Sequence, residues 1–487
     1  MADITVNIER ISNTEYCFGN STTDGLKTVA TALTFDNPSH FAFSQSIEKF
    51  DRRRFTFRIG MLQTVVQYCR ENNVTYTVRD YTYPDLTVEV DKRLCTDERK
   101  YQEMAVREFY KRRFGILKIP TRGGKTFIAA EILRQFLAME SVGNALFVVD
   151  SITLFTQAVG DFRRFFHPYG GISIGEICSG VCRVERVTVC MIQTVQRMLA
   201  RNDRFIMKYL RELKMLCVDE IHDNFSSSRM RVYKRCHNLQ YQLCLSATPY
   251  KAGEQNFTQN LRLREWSGDV VYEITEEQLR TVGVLTEYKV VMPYLQHTAD
   301  ECETYDDACR RMIYQNEVRD GMIVEVMRKL SNLRLKTLVL FQNLEHGRRI
   351  EQLTAFPFLS GETDGNERER VKQEFLRQKG GCLLASNIFK KGVTLPEVQV
   401  LINVDGGLEE ANTIQRKGRV LGTTVGKCRS MVVDFIDDDG HWLAKHSSAR
   451  METYIREIGE GSVTILDTKD GGWIDDFECR VRKWFVI

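Results

Sequence analysis

The stretch Ile116–Thr126, ILKIPTRGGKT, decides how the rest of the chain reads. A short apolar run (Ile116, Leu117, Ile119) stops at Pro120. The pair Gly123–Gly124 follows, then Lys125 and Thr126, then an apolar-periodic stretch from Phe127 to Leu137. Strand, glycine loop and helix in that order suit a nucleoside triphosphate. Bare N–H groups at a helix N-terminus hold phosphate, a lysine meets the β- and γ-phosphates, and a hydroxyl binds Mg²⁺. Gly123 and Gly124 let the backbone approach the phosphates with no Cβ in the way. The general pattern G-x-x-x-x-G-K-[ST] has glycine where this chain has Ile119. On this stretch alone the rival reading is an ordinary solvated turn.

The neighbouring sequence continues the alternation of strand and helix. Four apolar runs, Ala145–Val149, Val187–Met191, Met215–Val218 and Tyr241–Leu245, each end in polar residues. These are Asp150-Ser151, Gln193-Thr194 (after Ile192), Asp219-Glu220-Ile221-His222 and Ser246-Ala247-Thr248-Pro249. The pattern predicts a parallel α/β sheet with its ligands along the C-terminal edge. Asp219 at a strand end can hold Mg²⁺ through water. Glu220 beside it can orient or deprotonate an attacking water. The bland reading is an acidic pair capping a loop. Upstream, Lys100–Arg113 is amphipathic and leads into the phosphate loop. Gln102 on it offers a donor and an acceptor together, as an adenine edge requires; alone, such a residue is more often plain surface.

A second α/β series follows: Thr337–Phe341, then Cys382–Ala385 leading into Ser386, then Val398–Val404 and Met431–Ile436. Gln415, Arg416 and Arg419 fall between its last two strands. Residues 1–92 read as a separate small α+β unit, with alternation at Ile4–Ile8, Phe55–Ile59 and Val74–Val78 around a helical Met61–Asn72. Arg52, Arg53, Arg54 and Arg58 lie beside Phe50, Phe55 and Phe57. They read equally as a phosphate-contacting patch or as a solvated strand edge. The expected domains are 1–92, a first lobe over 93–265, a connector over 266–300, a second lobe over 301–458 and a tail over 459–487.

Length and composition agree with a multidomain globular chain: 487 residues, 43% hydrophobic and 27% charged. A net charge of +3 does not announce a nucleic-acid binder, although a local basic channel leaves such a total unmoved. The fourteen cysteines are scattered, with Cys178 and Cys182 the only close pair and no histidine at ligand spacing. Zinc is not expected, and a reducing cytoplasm fits. MADITVNIER has no apolar signal region, and no apolar run is long enough for a membrane span.

PTRGGKT (120–126), DEIH (219–222), SATP (246–249), ASNIFKKGVTLPEV (385–398) and QRKGR (415–419) occur in this order. That series resembles the superfamily 2 helicases and translocases. Within them the chain is most similar to the phage UvsW-type helicases and their type III restriction and XPB relatives. DEIH, the QRKGRVL run and HSSARMETYIREIG (446–459) carry that likeness; FRIGMLQTVVQYCRENN (57–73) adds a looser match to the UvsW-type N-terminal domain. The resemblance implies two RecA-like lobes with parallel sheets, plus a small N-terminal α+β domain as a candidate DNA-binding unit. It implies ATP and Mg²⁺ bound by Pro120, Thr121, Arg122, Gly123, Gly124, Lys125 and Thr126, with Gln102 at the adenine and Asp219 completing the metal site. Glu220 would be the base, Gln415 would position the water, and Arg419, with Arg416 near it, would be the arginine finger. His222, Ser246 and Thr248 would couple hydrolysis to lobe motion, and Gly392 would report strand contact. YQEMAV (101–106) resembles the adenine-side motif, and DSITLFTQ (150–157) and MIQTVQ (191–196) resemble strand-contacting motifs. They imply nucleic-acid contacts at Ser151, Gln193 and Thr194, with Ser386 in the second lobe.

Three positions depart from the family pattern. Gly422 stands where a second arginine is common, and an arginine finger contributes on the order of 10³- to 10⁵-fold in rate. Thr394 replaces an aspartate near the ribose. Arg122 replaces a small residue and is expected to face solvent. The expected activity is ATP-dependent helicase or translocase action on branched, forked or single-stranded DNA in replication, recombination or repair, by a cytoplasmic monomer (in the host, if the origin is phage). An RNA helicase or transcript-release motor, and an ATP-gated clamp with weak turnover, are the alternatives. A restriction-type nuclease motor lacks a separate nuclease domain in the sequence.

Overall fold

The computed structural model describes residues 5–11, 15–18, 23–36, 46–79, 89–91, 96–140, 143–222, 225–250, 256–297, 302, 304–386, 395, 397–406, 427 and 429–487. The chain forms two compact units. The first comprises Met1–Pro120 and Gly124–Ile274; the second comprises Thr275–Ile487 with the loop residues Thr121–Gly123.

In the first unit an eight-stranded sheet runs in the order Val181–Arg183, Ile174–Cys178, Val187–Met191, Ala145–Val149, Met215–Val218, Tyr241–Ser246, Phe114–Lys118, Val270–Glu273. Every pairing is parallel except the hairpin of its first two strands. The four central strands and Phe114–Lys118 are nearly continuous apolar runs because helices cover both of their faces. Parallel pairing forces each connection to cross over. The segments after Lys118, Val149, Met191, Val218 and Ser246 therefore emerge along one edge.

The N-terminal residues form a five-stranded mixed sheet in the order Phe50–Asp51, Thr56–Arg58, Glu15–Phe18, Thr5–Arg10, Thr75–Arg79, with helices Thr23–Ala32 and Leu62–Glu71. This small domain packs on helix Phe257–Ser267. Leu261 joins its core, Lys49 Nζ lies 2.7 Å from Glu265 Oε2, and a Cβ at Gly60 would fall 1.8 Å from the Arg264 carbonyl oxygen. The backbones touch there, so only glycine fits. The Arg52–Arg58 patch is partly neutralised: Arg52 pairs with Glu48 at 2.6 Å and Arg54 with Glu15 at 3.9 Å.

The second unit holds a parallel sheet ordered Phe358–Leu359, Gly381–Ser386, Lys336–Phe341, Val400–Asn403, Arg429–Asp434, Glu287–Gln296, Ile436–Asp438, with Val463–Asp467 also pairing on Glu287–Gln296. Two expected boundaries shift. The 266–300 stretch is not a connector: it gives the edge strand Val270–Glu273 to the first sheet and the strand Glu287–Gln296 to the second. Residues 459–487 are not a separate tail. Leu466, Trp473, Phe477 and Val481 enter the second core, and Trp484 Nε1 donates to the Ser430 carbonyl at 2.8 Å. Strand character at Val270–Ile274 and Tyr288–Met292 is legible in the sequence, but not the sheet each strand joins, and an amphipathic terminal helix shows only half an apolar pattern. Beneath this sheet Arg319, fully buried, donates to both oxygens of Asp437 at 2.8 and 3.0 Å and to the Val404 carbonyl at 2.8 Å.

Candidate active site

Lys125 opens a fifteen-residue helix, Lys125–Met139, directly after the loop. Its N-cap, Gly124, has φ +79°, and a Cβ there would lie 2.3 Å from Gln102 Nε2. Glycine is thus required for both conformation and space. Ile119, at the position where the general pattern has its first glycine, is fully buried and donates its N–H to the Ser246 carbonyl at 3.0 Å. The loop starts one turn later than that pattern expects, from a residue anchored in the core.

Gln102 is 4% exposed on helix Lys100–Arg112. Its Nε2 donates to Tyr101 Oη at 3.0 Å, and its Oε1 is buried with no hydrogen-bond partner among the described residues. A buried acceptor beside the loop fits a ligand bearing an N–H group, because leaving such an atom unsatisfied costs about 1–3 kcal/mol. Tyr101, which holds Gln102, was not singled out in the sequence; its adjacency to a buried amide was the available signal.

Asp219 and Glu220 follow strand Met215–Val218 at the same edge. Asp219 N–H donates to the Val148 carbonyl and Ile221 N–H to the Leu245 carbonyl, each at 3.0 Å, so both neighbouring strands grip the turn. Glu220 sits at φ +43°, a strained conformation for a side-chain-bearing residue and one that clusters at functional sites. Its N–H donates to Asp219 Oδ1 at 3.0 Å. Asp219 is 9% exposed. Burial, and then the charge of Glu220, push its pKa up to about 7, with Lys125 partly offsetting them.

The side chains then lie close to one another in turn. Lys125 Nζ is 2.8 Å from Glu220 Oε1, and Glu220 Oε2 is 3.5 Å from His222 Nδ1. His222 Nδ1 is 2.8 Å from Ser246 Oγ, which also accepts from the Thr248 N–H at 3.0 Å. Lys125, Asp219, Glu220, His222, Ser246 and Thr248 are therefore brought together as the sequence predicts. The loop, the helix N-terminus that follows it, the orphaned Gln102 acceptor and the carboxylate pair fit a magnesium nucleotide.

The remaining predicted residues are placed less tellingly. Ser151 caps helix Ile152–Phe166, accepting from Leu154 N–H at 3.3 Å. Gln193 Nε2 donates to the Asp150 carbonyl at 2.8 Å. Thr194 is buried and its hydroxyl accepts from Arg197 at 3.3 Å. Ser386 is buried at the end of strand Gly381–Ser386. Arg122 does not face solvent as expected: it is half-buried at φ +72°, and burial lowers its pKa to about 10. Gly392, Thr394, Gln415, Arg416, Arg419 and Gly422 lie outside the described residues.

Residues 96–251 match the family described as type III restriction enzyme, res subunit, and residues 309–421 match the helicase conserved C-terminal domain. The chain is 25% identical over 395 residues to the ATP-dependent DNA helicase uvsW of Enterobacteria phage T4, covering 73% of this chain and 75% of that protein. It is 24% identical over 364 residues to the DNA 3'-5' translocase XPB2 of Sulfurisphaera tokodaii, covering 66% and 78%. In fold it is similar to S. cerevisiae Dbp5 bound to RNA and ADP BeF3, with TM-score 0.54 and 16% identity over 79% of this chain and 93% of that one. The chain is an ATP-dependent helicase of superfamily 2, resembling the UvsW, XPB and type III restriction group.

Proposed function

Starting from that membership, we propose that the chain is a DNA helicase or translocase acting on branched or forked DNA in replication, recombination or repair. The observation that carries the reading is the close placement of Lys125, Glu220, His222 and Ser246 along one sheet edge, with hydrogen bonds at Lys125–Glu220 and His222–Ser246 and a 3.5 Å approach between Glu220 and His222. It joins the phosphate lysine to the segment after strand Tyr241–Ser246, so a change at the nucleotide is felt at Ser246 and Thr248. The relatives named above, a DNA helicase and a DNA translocase, support DNA as the track.

Each residue has a physical task. Lys125 and the first-turn N–H groups of its helix hold the terminal phosphates, and Lys125 must exchange Glu220 for phosphate to do so. Gln102 receives the adenine edge on its buried Oε1. Thr126 and Asp219 hold Mg²⁺, which when bound neutralises phosphate charge. Glu220, released from Lys125, orients the attacking water and takes its proton. His222 senses Glu220 and transmits through Ser246. Gln415 positions the water, Arg419, with Arg416 near it, serves as the arginine finger, and Gly392 takes part in coupling. Ser151, Gln193, Thr194 and Ser386 belong to the strand path. We take the working form to be a monomer in the cytoplasm.

Strand separation of a forked DNA, a flush DNA duplex and an equivalent RNA fork, each with ATP, tests the reading. Preferential unwinding of the DNA fork is expected. Unwinding of the RNA fork alone would establish an RNA motor instead, and ATP-dependent binding with no separation or translocation would establish a clamp.

A further inference from the structure

Helices Ile192–Ala200, Arg204–Glu212 and Ser227–Tyr233 pack together on one flank of the first unit through Ile192, Val195, Ile206, Tyr209, Leu210 and Val232. Their outward faces are strongly basic. On the second helix Arg204, Lys208 and Arg211 recur at spacings of four and three, which places them on one face over about 10 Å. Arg197 and Arg201 are exposed four residues apart at the end of the first helix, and Arg231, Lys234 and Arg235 are exposed on and after the third. Among the described residues, no carboxylate lies within ion-pair distance of Arg201, Arg204, Arg211, Arg231, Lys234 or Arg235; the pair Lys208–Glu212 is long, at 3.9 Å. The N-terminal Arg52–Arg54 cluster differs, since two of its three arginines pair with glutamates.

Two further features bear on what this face binds. Phe205 is 53% exposed in its midst, a large aromatic ring displayed within a field of cations. The first helix begins at Ile192, directly after strand Val187–Met191, and carries Gln193 and Thr194 in its first turn, so the face continues from the residues proposed for the strand path. A chain with net charge of only +3 that concentrates eight exposed cations on one flank has an electrostatic footprint there.

We propose that this flank is a docking surface for the phosphate backbone of a nucleic-acid duplex, gripping the double-stranded arm next to the strand held at Gln193 and Thr194. The inference deepens the motor reading and rests on it. Duplex phosphate fits better than an acidic protein because the surface is a spread of cations with one exposed ring, without the buried apolar centre that a specific protein interface carries.

The test compares wild type with the triple variant Arg204→Gln, Lys208→Gln, Arg211→Gln, whose exposed side chains leave the core untouched. Binding of a single strand and of the same strand with a duplex arm is measured between 50 and 200 mM salt, alongside single-strand-stimulated ATPase activity. Three lost phosphate contacts lower the salt slope by about 2.7, so the advantage of wild type on duplex-armed DNA shrinks about 40-fold across that fourfold range. Single-strand binding and its stimulated ATPase are expected to stay within about twofold. Duplex-armed binding unchanged in the variant, or single-strand binding lost equally, would overturn the inference while stimulated wild-type turnover keeps the motor reading intact. A wild type with no nucleic-acid-stimulated turnover would overturn both.

Discussion

Asp219 in the first unit and Asp437 in the second are both buried aspartates of parallel sheets, yet their electrostatics are opposite. Asp437 is clasped by Arg319 at 2.8 and 3.0 Å and by His297 at 3.0 Å. Burial alone would raise its pKa, but Arg319 and then His297 outweigh that and hold its carboxyl well below the usual range. Asp219 has Glu220 as its neighbour, and burial with that like charge lifts it to about 7. A carboxylate built for structure is supplied with its cation by the chain itself. On the proposed reading Asp219 serves Mg²⁺: it is left with excess negative potential, which an incoming cation relieves.

The sharpest way to break this contrast is at the chemical residue. Glu220→Gln keeps the side chain's size and removes the base, so nucleic-acid-stimulated kcat should fall by about 10²- to 10⁴-fold while thermal unfolding stays close to wild type. A fall of less than tenfold would remove Glu220 from the reaction. Next in size is Arg319→Met. It strands the Asp437 charge in the core and should cost about 3–5 kcal/mol in denaturant unfolding. Adding Asp437→Leu should recover most of that loss; if the double variant is no better than the single one, the pair is not the source of the cost.

Asp219→Asn should do the reverse of Arg319→Met. The folded protein keeps the Asp219 proton up to about pH 7, whereas the unfolded chain loses it near 3.8. Wild-type stability without Mg²⁺ therefore falls as pH rises between those values. The asparagine variant should be more stable than wild type at pH 8 by up to a few kcal/mol, with the gap closing toward pH 4. Mg²⁺ titration by calorimetry should show wild-type affinity rising from pH 6 to 8 and little binding by the variant. Equal pH dependence of unfolding in both proteins would contradict the raised pKa. The smallest effect is expected at Ser246→Ala. Loss of its hydroxyl contact with His222 should cost about 1 kcal/mol of stability. It should also reduce base pairs opened per ATP several-fold, with ATPase activity largely kept.

The contrast also marks what the sequence could reveal. ILKIPTRGGKT and MLCVDEIH are local: an apolar strand, then polar residues at once, and the parallel sheet puts both at one edge. Lys125, Asp219, Glu220, His222 and Ser246 were legible for that reason. Arg319, His297 and Asp437 belong to separate stretches of the sequence, and no local pattern distinguishes a buried arginine within a charged helix from a solvated one. The strand Glu287–Gln296 was missed as the heart of the second sheet for a related reason. Its partners Arg429–Asp434 and Val463–Asp467 lie more than a hundred residues away. The strained backbone of Glu220 and the orphaned acceptor of Gln102 are properties of packing, visible only once the strands are assembled.

Steady-state ATP hydrolysis by wild type and Lys125→Ala, with no nucleic acid and with single-stranded, duplex and forked DNA, tests the central claim most directly. Strong stimulation by forked DNA in wild type, lost in Lys125→Ala, is the predicted result. Turnover that persists in the variant, or a wild type that forked DNA does not stimulate, would contradict the account.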